Sequence, residues 1–517
     1  MTRTGLGAEV RDVLDISKSE FQTQVEEDAE IIKAEVTEGT FDNPQGLVGL
    51  EYEFYATTDG TTTDRNGETS DLQRRTLQRI PRRTLSFIGF EKELGLHNAE
   101  MSTTPQPLNE HGIEAQQAEI KGRLAAAREP IHANNMRLVS DGLWTIPPKD
   151  ETAREYLTDS IDDDGLTIAT NMSDSVRYHA MSNTETPTGG CLDAPHVSLE
   201  ADTVMPESLI TSIQPHYQVP NAEALPSYFR YAVRLAGPLL ALGVNSPFFP
   251  PSLYDDGVAA RTVMDDAWMG HRIKVFETSL NTDQVRKVRF PEEFETVEEA
   301  IDNIVADETI IPMPVERGER FDDEFAYFRR KHGTYWRWIR PVFGGATRSS
   351  ANARIEFRPL PGQPTLRDAI AFQAVFAGAL EHLHSSQHPV RRLEWDTARA
   401  NFYAAMRDGI DAELIWMTAE GQITTDLEAM YEELFSAAKS GLQAQGLRDE
   451  QIRQYIAPLR NRVRTRMTPA SWKHQMASNR LSEGANLGKA IGDTQRAYLE
   501  RQADTFLSGE LTDWNLS

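Results

Sequence analysis

The chain has 517 residues, of which 39% are hydrophobic and 8% aromatic, enough to bury a sizeable core and to exclude an intrinsically disordered protein. Its formal charge of −26, from 79 acidic against 53 basic residues, excludes nucleic acid and anionic membrane surfaces as natural partners, and no stretch approaches the ~20 apolar residues of a membrane span. A single cysteine, Cys191, rules out a disulfide framework or a cysteine metal cluster and reads as a small buried residue, since no partner base is evident.

Residues 1–45 have helical spacing with an acidic face and are expected to form a surface helix or mobile arm. They carry no apolar signal-peptide core, so a cytoplasmic protein is expected. GLVGLEYEFYA (46–56) alternates in the strand period, with Leu50, Tyr52 and Phe54 on one face and Glu51, Glu53 and Tyr55 on the other. TTDGTTTDRNGETSD (57–71) is a turn-rich loop, and the stretch from Phe87 to Pro105 is strand-like or irregular. EHGIEAQQAEIKGRLAAAREPIHANN predicts a helix capped by Asn109 and ended by Pro130, followed by a strand in MRLVSDGLWTI. ETAREYLTDSIDDDGLT is expected to be an exposed acidic segment. SLITSIQPHYQV predicts a strand, and the next helix is broken at Asn245-Ser246-Pro247, read as structural.

FPEEFETVEEAIDNIVADETIIP looks like a mobile acidic insertion, and Trp336 and Trp338 of TYWRWIR like core or loop anchors. TRSSANARIEFRPLPGQPT predicts a strand, LRDAIAFQAVFAGALEHLHSS a helix, and nearly everything beyond Leu393 is helical. Without a βαβα rhythm, this order predicts an α+β fold. An antiparallel sheet forms a concave active-site face packed with helices. Three segments are expected: an acidic N-terminal helical arm (1–45), a catalytic domain (46–390) and a helical C-terminal region (391–517).

Four strand-like segments carry polar residues at strand spacing. They supply Glu51 and Glu53; Glu93 and Glu100; Gln214, His216 and Gln218; and Arg354, Glu356 and Arg358. Each pattern alone is an ordinary solvated face or a salt-bridge ladder. On one sheet, however, they make a surface of carboxylates, amides, an imidazole and guanidinium groups. Carboxylates suit Mg²⁺ carried in with phosphate oxygens, and arginine forks clamp phosphate, which is the layout for phosphoryl transfer from ATP. No P-loop, G-x-S-x-G or zinc signature competes.

In order and spacing, five stretches resemble the glutamate–cysteine ligases and related carboxylate–amine ligases: GLEYEFY, the segment from Glu93 through EMSTTP, RYHAMSN (177–183), SLITSIQPHYQV with the NSPFF that ends the next helix, and ARIEFRPLPGQPT. The resemblance covers roughly residues 47 to 380 and implies the antiparallel-sheet fold of glutamine synthetase and the guanidino kinases. It implies that Glu51, Glu53, Glu93, Glu100 and Glu356 hold metal. His216 would reach the metal or nucleotide phosphates, and Arg358 would touch the γ-phosphate and the developing acyl phosphate. Arg348 and Arg177 could each reach a substrate carboxylate or be ordinary surface or structural residues; Gln214, Gln218 and Arg354 line the same face.

ATP and Mg²⁺, or Mn²⁺ in its place, are the implied cofactors. The implied partners are amino acids and ATP, with neither nucleic acid nor membrane, and a homo-oligomer is left open. The implied product is γ-glutamylcysteine. The T-H-V-H-V-G signature of one family branch is absent, with Gln-Pro-His-Tyr in its place. A same-fold ligase joining another acid and amine keeps every motif, and a non-catalytic nucleotide-binding relative is the other alternative. The basic residues are 11 Lys and 42 Arg. A lysine-poor acidic surface is expected of a halophilic, archaeal host with a salt-rich cytoplasm, although an ordinary acidic cytosolic protein has a similar composition.

Overall fold

Leu47–Thr58 (β1) alternates as its sequence requires: Val48, Leu50, Tyr52 and Phe54 are buried, while Gly49, Glu51 and Glu53 are half-buried on the opposite face. In the computed structural model, which describes residues 3–58, 75–184, 190–282 and 284–514, β1 lies inside an eight-stranded sheet. The other strands are Glu91–Lys92 (β2), Asn98–Ser102 (β3), Gln106–Pro107 (β4), Met136–Val139 (β5), Ile213–Gln218 (β6), Ile339–Gly344 (β7) and Asn352–Phe357 (β8). The order is β7-β8-β6-β1-β3-β2, with β4 and β5 also paired to β1, and every pairing is antiparallel. The α+β class with an antiparallel sheet is therefore the observed one. Most of the predicted loop 57–71 lies outside the described residues.

The apolar face of the sheet is covered by two helices whose buried residues run almost all round, Leu225–Gly243 and Leu366–Ser385. Leu427–Ala444 and Asp449–Thr465 pack outside the second of these. Pro469–Ser482 and Leu487–Thr505 pair with each other and reach behind β1 through polar side chains. There Gln495 Nε2 donates to Tyr55 Oη (2.9 Å) and Asp141 Oδ2 (2.7 Å), and Lys473 is ion-paired to the fully buried Asp141. The main core runs without a break from Val10 to Trp514, and Trp336 and Trp338 both belong to it.

Several local expectations are corrected. The N-terminal segment is two helices, Arg3–Leu14 and Lys18–Thr37, and the second buries Phe21, Val25, Ala29, Ile32 and Val36. The acidic insertion is packed as well: Thr296 caps the helix Val297–Ala306, which buries Val297, Ala300, Ile301 and Ile304 against Lys18–Thr37. Its acids occupy only the solvent stripe of an amphipathic helix. Residues 151–167 likewise bury Tyr156 and Leu157 in a short helix. Asn109 accepts from the N–H groups of His111 and Gly112, but the helix spans Gly112–Ala133 and passes through Pro130. A proline in the last turn removes one bond near an end that frays anyway. Cys191 is exposed, on a small hairpin of Cys191–Ala194 with Val197–Glu200.

Candidate active site

The antiparallel register sets the polar residues in transverse rows. Glu53 lies opposite Glu100, which lies opposite Glu91; Glu51 lies between Gln214 and Ser102; His216 and Arg340 flank Glu356; and Gln218 faces Arg354. Because side chains alternate along a strand, residues opposite each other share a face. The four segments singled out in the sequence thus converge on one surface.

Glu51, His216 and Glu356 each bring a ligand-type atom to within 4.8 Å of the others. His216 Nε2 lies 3.2 Å from Glu51 Oε1, buried and without a well-directed hydrogen bond, while Arg354 Nε–H donates to Nδ1 at 3.4 Å. With Nδ1 accepting, the neutral ring carries its proton on Nε2 and turns it toward the carboxylate. Glu356 is 2% exposed and sits between two arginines: Arg340 Nε is 2.9 Å from Oε2, and Arg358 Nη1 donates to Oε1. Burial opposes its charge, but Arg340 and Arg358 outweigh burial and hold it well below the usual carboxylate range. Glu51 is also lowered: burial acts upward, but the neighbouring His216 outweighs it.

On the other side of β1 negative charge accumulates. Burial raises Glu100 well above the ordinary value, with the Glu51, Glu93 and Glu53 carboxylates adding to it. Glu53 is raised by burial and by Glu93; it accepts from Gln214 Nε2 at 2.9 Å, and Gln214 Oε1 in turn accepts from Arg358 Nη1 at 2.8 Å. Glu93, just after β2, accepts from Tyr178 Oη at 3.4 Å, and Arg177 stacks on that phenol and donates to it at 2.8 Å. Among the described residues, Glu51, His216 and Glu356 bring their ligand-type atoms close enough to share one hard divalent cation such as Mg²⁺ or Mn²⁺, and Glu53, Glu93 and Glu100 add carboxylates on the same face.

Two predicted residues stand apart. Arg348 is not brought to this surface; Nη1 is 2.5 Å from Glu35 Oε2, the guanidinium covers the Phe321 ring, and the side chain is half exposed. Gln218 stays in the face, but its amide donates to the Gln45 carbonyl at 3.0 Å. Three contributors went unseen in the sequence. Arg340 is one, and the alternation of I-R-P-V-F could have shown its outward direction but not its place opposite Glu356. Arg272 donates to the carbonyls of Arg358 and Pro359 at 3.1 and 3.2 Å, fixing the end of β8, and burial lowers its pKa to about 10. Glu207 is pushed up to about 8 by burial and by the Glu93 and Glu53 charges; it lies in a 3₁₀ turn with no sequence signal.

A family model described as glutamate-cysteine ligase family 2 matches residues 47–502. Among solved structures, the chain is similar to a glutamate–cysteine ligase from Francisella tularensis in complex with AMP, at 13% identity over 90% of this chain and 91% of that one, with a TM-score of 0.51. At that identity the similarity speaks for the fold alone. A bifunctional glutathione synthetase from Pasteurella multocida (12% identity, 92% of this chain, 54% of that one, TM-score 0.46) and the ligase PafA in complex with the ubiquitin-like protein Pup (9% identity, 87% and 72%, TM-score 0.39) are more distant. No curated protein matches the sequence.

Proposed function

The chain belongs to glutamate–cysteine ligase family 2 and is an ATP-dependent carboxylate–amine ligase, and on that premise we propose that it joins the γ-carboxylate of glutamate to the amino group of cysteine, giving γ-glutamylcysteine. The observation that carries this reading is the single face shared by Glu51, Glu53, Glu93, Glu100, His216, Glu356 and Arg358. A glutamine-synthetase-like relationship of the fold and the division at residues 45 and 390 belong to the same proposal.

In the first step a γ-carboxylate oxygen bonds to the γ-phosphorus of ATP, the bond to the bridging oxygen breaks, and ADP leaves. In the second the cysteine nitrogen bonds to the acyl carbon, phosphate leaves, and the amine gives up a proton. Bound Mg²⁺ would supply charge neutralisation at the phosphate oxygens, held by Glu51, Glu53, Glu93, Glu100 and Glu356. Arg358, fixed by Glu356 and Gln214, presents its guanidinium where a phosphoryl group gathers charge, and His216 offers Nε2–H to a phosphate or carboxylate oxygen. Arg354 keeps the His216 tautomer. Arg177, stacked beside Glu93, is the candidate for a substrate carboxylate. Glu356, buried between Arg340 and Arg358, needs little reorganisation when the phosphoryl group moves.

The test is phosphate release from Mg-ATP at high KCl, with glutamate fixed and each amino acid offered in turn. Release is expected with glutamate plus cysteine, and is expected to fall about 10²-fold or more in Glu51→Gln and Arg358→Ala. Release with another amine keeps the ligation chemistry and changes the product. Absence of release with every pair, in protein that still binds ATP, overturns the catalytic reading.

A further inference from the structure

The helix Lys18–Thr37 lies outside the family match at residues 47–502. Its buried stripe reads Phe21, Val25, Asp28, Ala29, Ile32, Glu35 and Val36, so an aspartate occupies a position where helical spacing calls for an apolar residue. Asp28 is fully buried. Its Oδ2 accepts from the backbone N–H groups of Tyr327 (2.7 Å) and Phe328 (3.2 Å), and Oδ1 is 2.7 Å from Arg317 Nη2. Those two N–H groups are donors of the first turn of the helix Ala326–His332, whose own N-cap residue, Phe325, supplies no side-chain acceptor. Asp28 therefore caps that helix from outside.

The far end of the capped helix faces the reaction surface. Arg340 Nη1 donates to the carbonyls of His332 (3.1 Å) and Tyr335 (3.3 Å), and His332 Nε2 donates to the Pro341 carbonyl at 2.9 Å. Held this way, Arg340 keeps Nε 2.9 Å from Glu356 Oε2, across one register pair of β7 and β8. Glu35 on the same N-terminal helix grips Arg348 in the turn that joins those two strands. We infer that Asp28 is a positioning residue of the ligation site, acting through the helix Ala326–His332 and Arg340 on the carboxylate of Glu356. The inference rests on the reading that Glu356 helps hold the divalent cation. If so, the N-terminal helices complete the site although no atom of theirs lies in it.

The experiment is Mn²⁺ binding to the full chain without nucleotide, followed by electron paramagnetic resonance, alongside thermal unfolding. Asp28→Ala and Asp28→Asn are compared with Val25→Ala, a cavity on the same helix face that leaves the cap intact. Asp28→Ala is expected to weaken Mn²⁺ binding about tenfold, the usual effect of removing a partner of a metal-holding side chain. Asp28→Asn keeps an acceptor oxygen and should lose less; it also serves if the alanine variant does not fold. Val25→Ala should lower the unfolding temperature and leave Mn²⁺ affinity unchanged. Arg340→Lys should weaken binding as well, and Asp28→Ala should add nothing in that background, because the two act in series.

Equal losses in Val25→Ala and Asp28→Ala, full additivity with Arg340→Lys, or unchanged affinity in both Asp28 variants overturns the inference and spares the metal reading. If the unaltered protein binds no Mn²⁺ that Glu51→Gln can abolish, the metal reading fails and takes the inference with it.

Discussion

Glu100 shows how a single position proposed for function can carry a cost in stability. It faces Glu53 directly and feels Glu51 and Glu93, and burial together with these charges raises its carboxyl well above the ordinary value. Like charges opposed on one sheet face destabilise the fold unless a cation enters between them. In the metal-free protein at pH 8, Glu100→Gln is expected to raise stability by up to about 1 kcal/mol, measured by urea unfolding in the presence of a chelator. In the assay with Mg-ATP the same variant should lose at least about tenfold in rate. The sequence alone supplied the acids of β1 and β3 because alternation is visible in E-Y-E and in E-M-S. Arg340 and Arg272 were not legible, since their value lies in partners on another element: Glu356 across the ladder for one, the end of β8 for the other.

Elements beyond the sheet are held by buried ionic contacts as well as by apolar stripes. Arg462, in the helix Asp449–Thr465, is fully buried and 2.8 Å from Asp368 Oδ1; it also donates to the Leu242 carbonyl (2.8 Å) and to Gln363 Oε1 (2.9 Å). It thus ties three helices, including Leu366–Ser385, whose first turn is capped by Thr365. Arg462→Ala leaves buried Asp368 without its ion-pair partner and is expected to destabilise by about 3–5 kcal/mol, whereas the uncharged pair Arg462→Met with Asp368→Asn should cost less; chemical denaturation distinguishes them. Periodicity found these helices because each has one continuous apolar stripe. It misread the acidic segments around 297–306 and 18–37, since charge on the solvent stripe outweighed, to the eye, the four or five apolar residues that dock them.

At the scale of the whole molecule, histidines buried in the neutral form link stability to pH. His97 (between Tyr156 Oη and the Ser208 carbonyl) and His271 are both lowered to about 3 by burial. Between about pH 6.5 and 3 the unfolded chain binds protons that the folded one refuses, so stability falls as pH falls through that window. Each histidine contributes a slope of about 1.4 kcal/mol per pH unit. With urea unfolding measured at pH 7.5, 6 and 5, the pH slope of His97→Gln is expected to differ from that of the unaltered protein by about one proton, in the direction of less loss at low pH. An unchanged slope in that variant would show that His97 does not carry the linkage. Among the described residues no helix is long and apolar enough to cross a membrane.

The sequence by itself determined the class of fold, the alternation that turns Glu51, Glu53, Gln214, His216, Arg354, Glu356 and Arg358 outward, and the family these stretches resemble. Those properties are local: strand period, helix period and short ordered motifs survive without knowledge of neighbours. Only the tertiary structure decided which strands pair and in what register. It therefore decided that His216 meets Glu51 and that Arg340 holds Glu356, that Arg348 turns away to Glu35, and that an N-terminal helix caps an element at the edge of the site. Strand order β7-β8-β6-β1-β3-β2 pairs residues as far apart in the chain as Leu47 and Gln218, and such pairing follows from how apolar faces close over a common core, which no local pattern encodes.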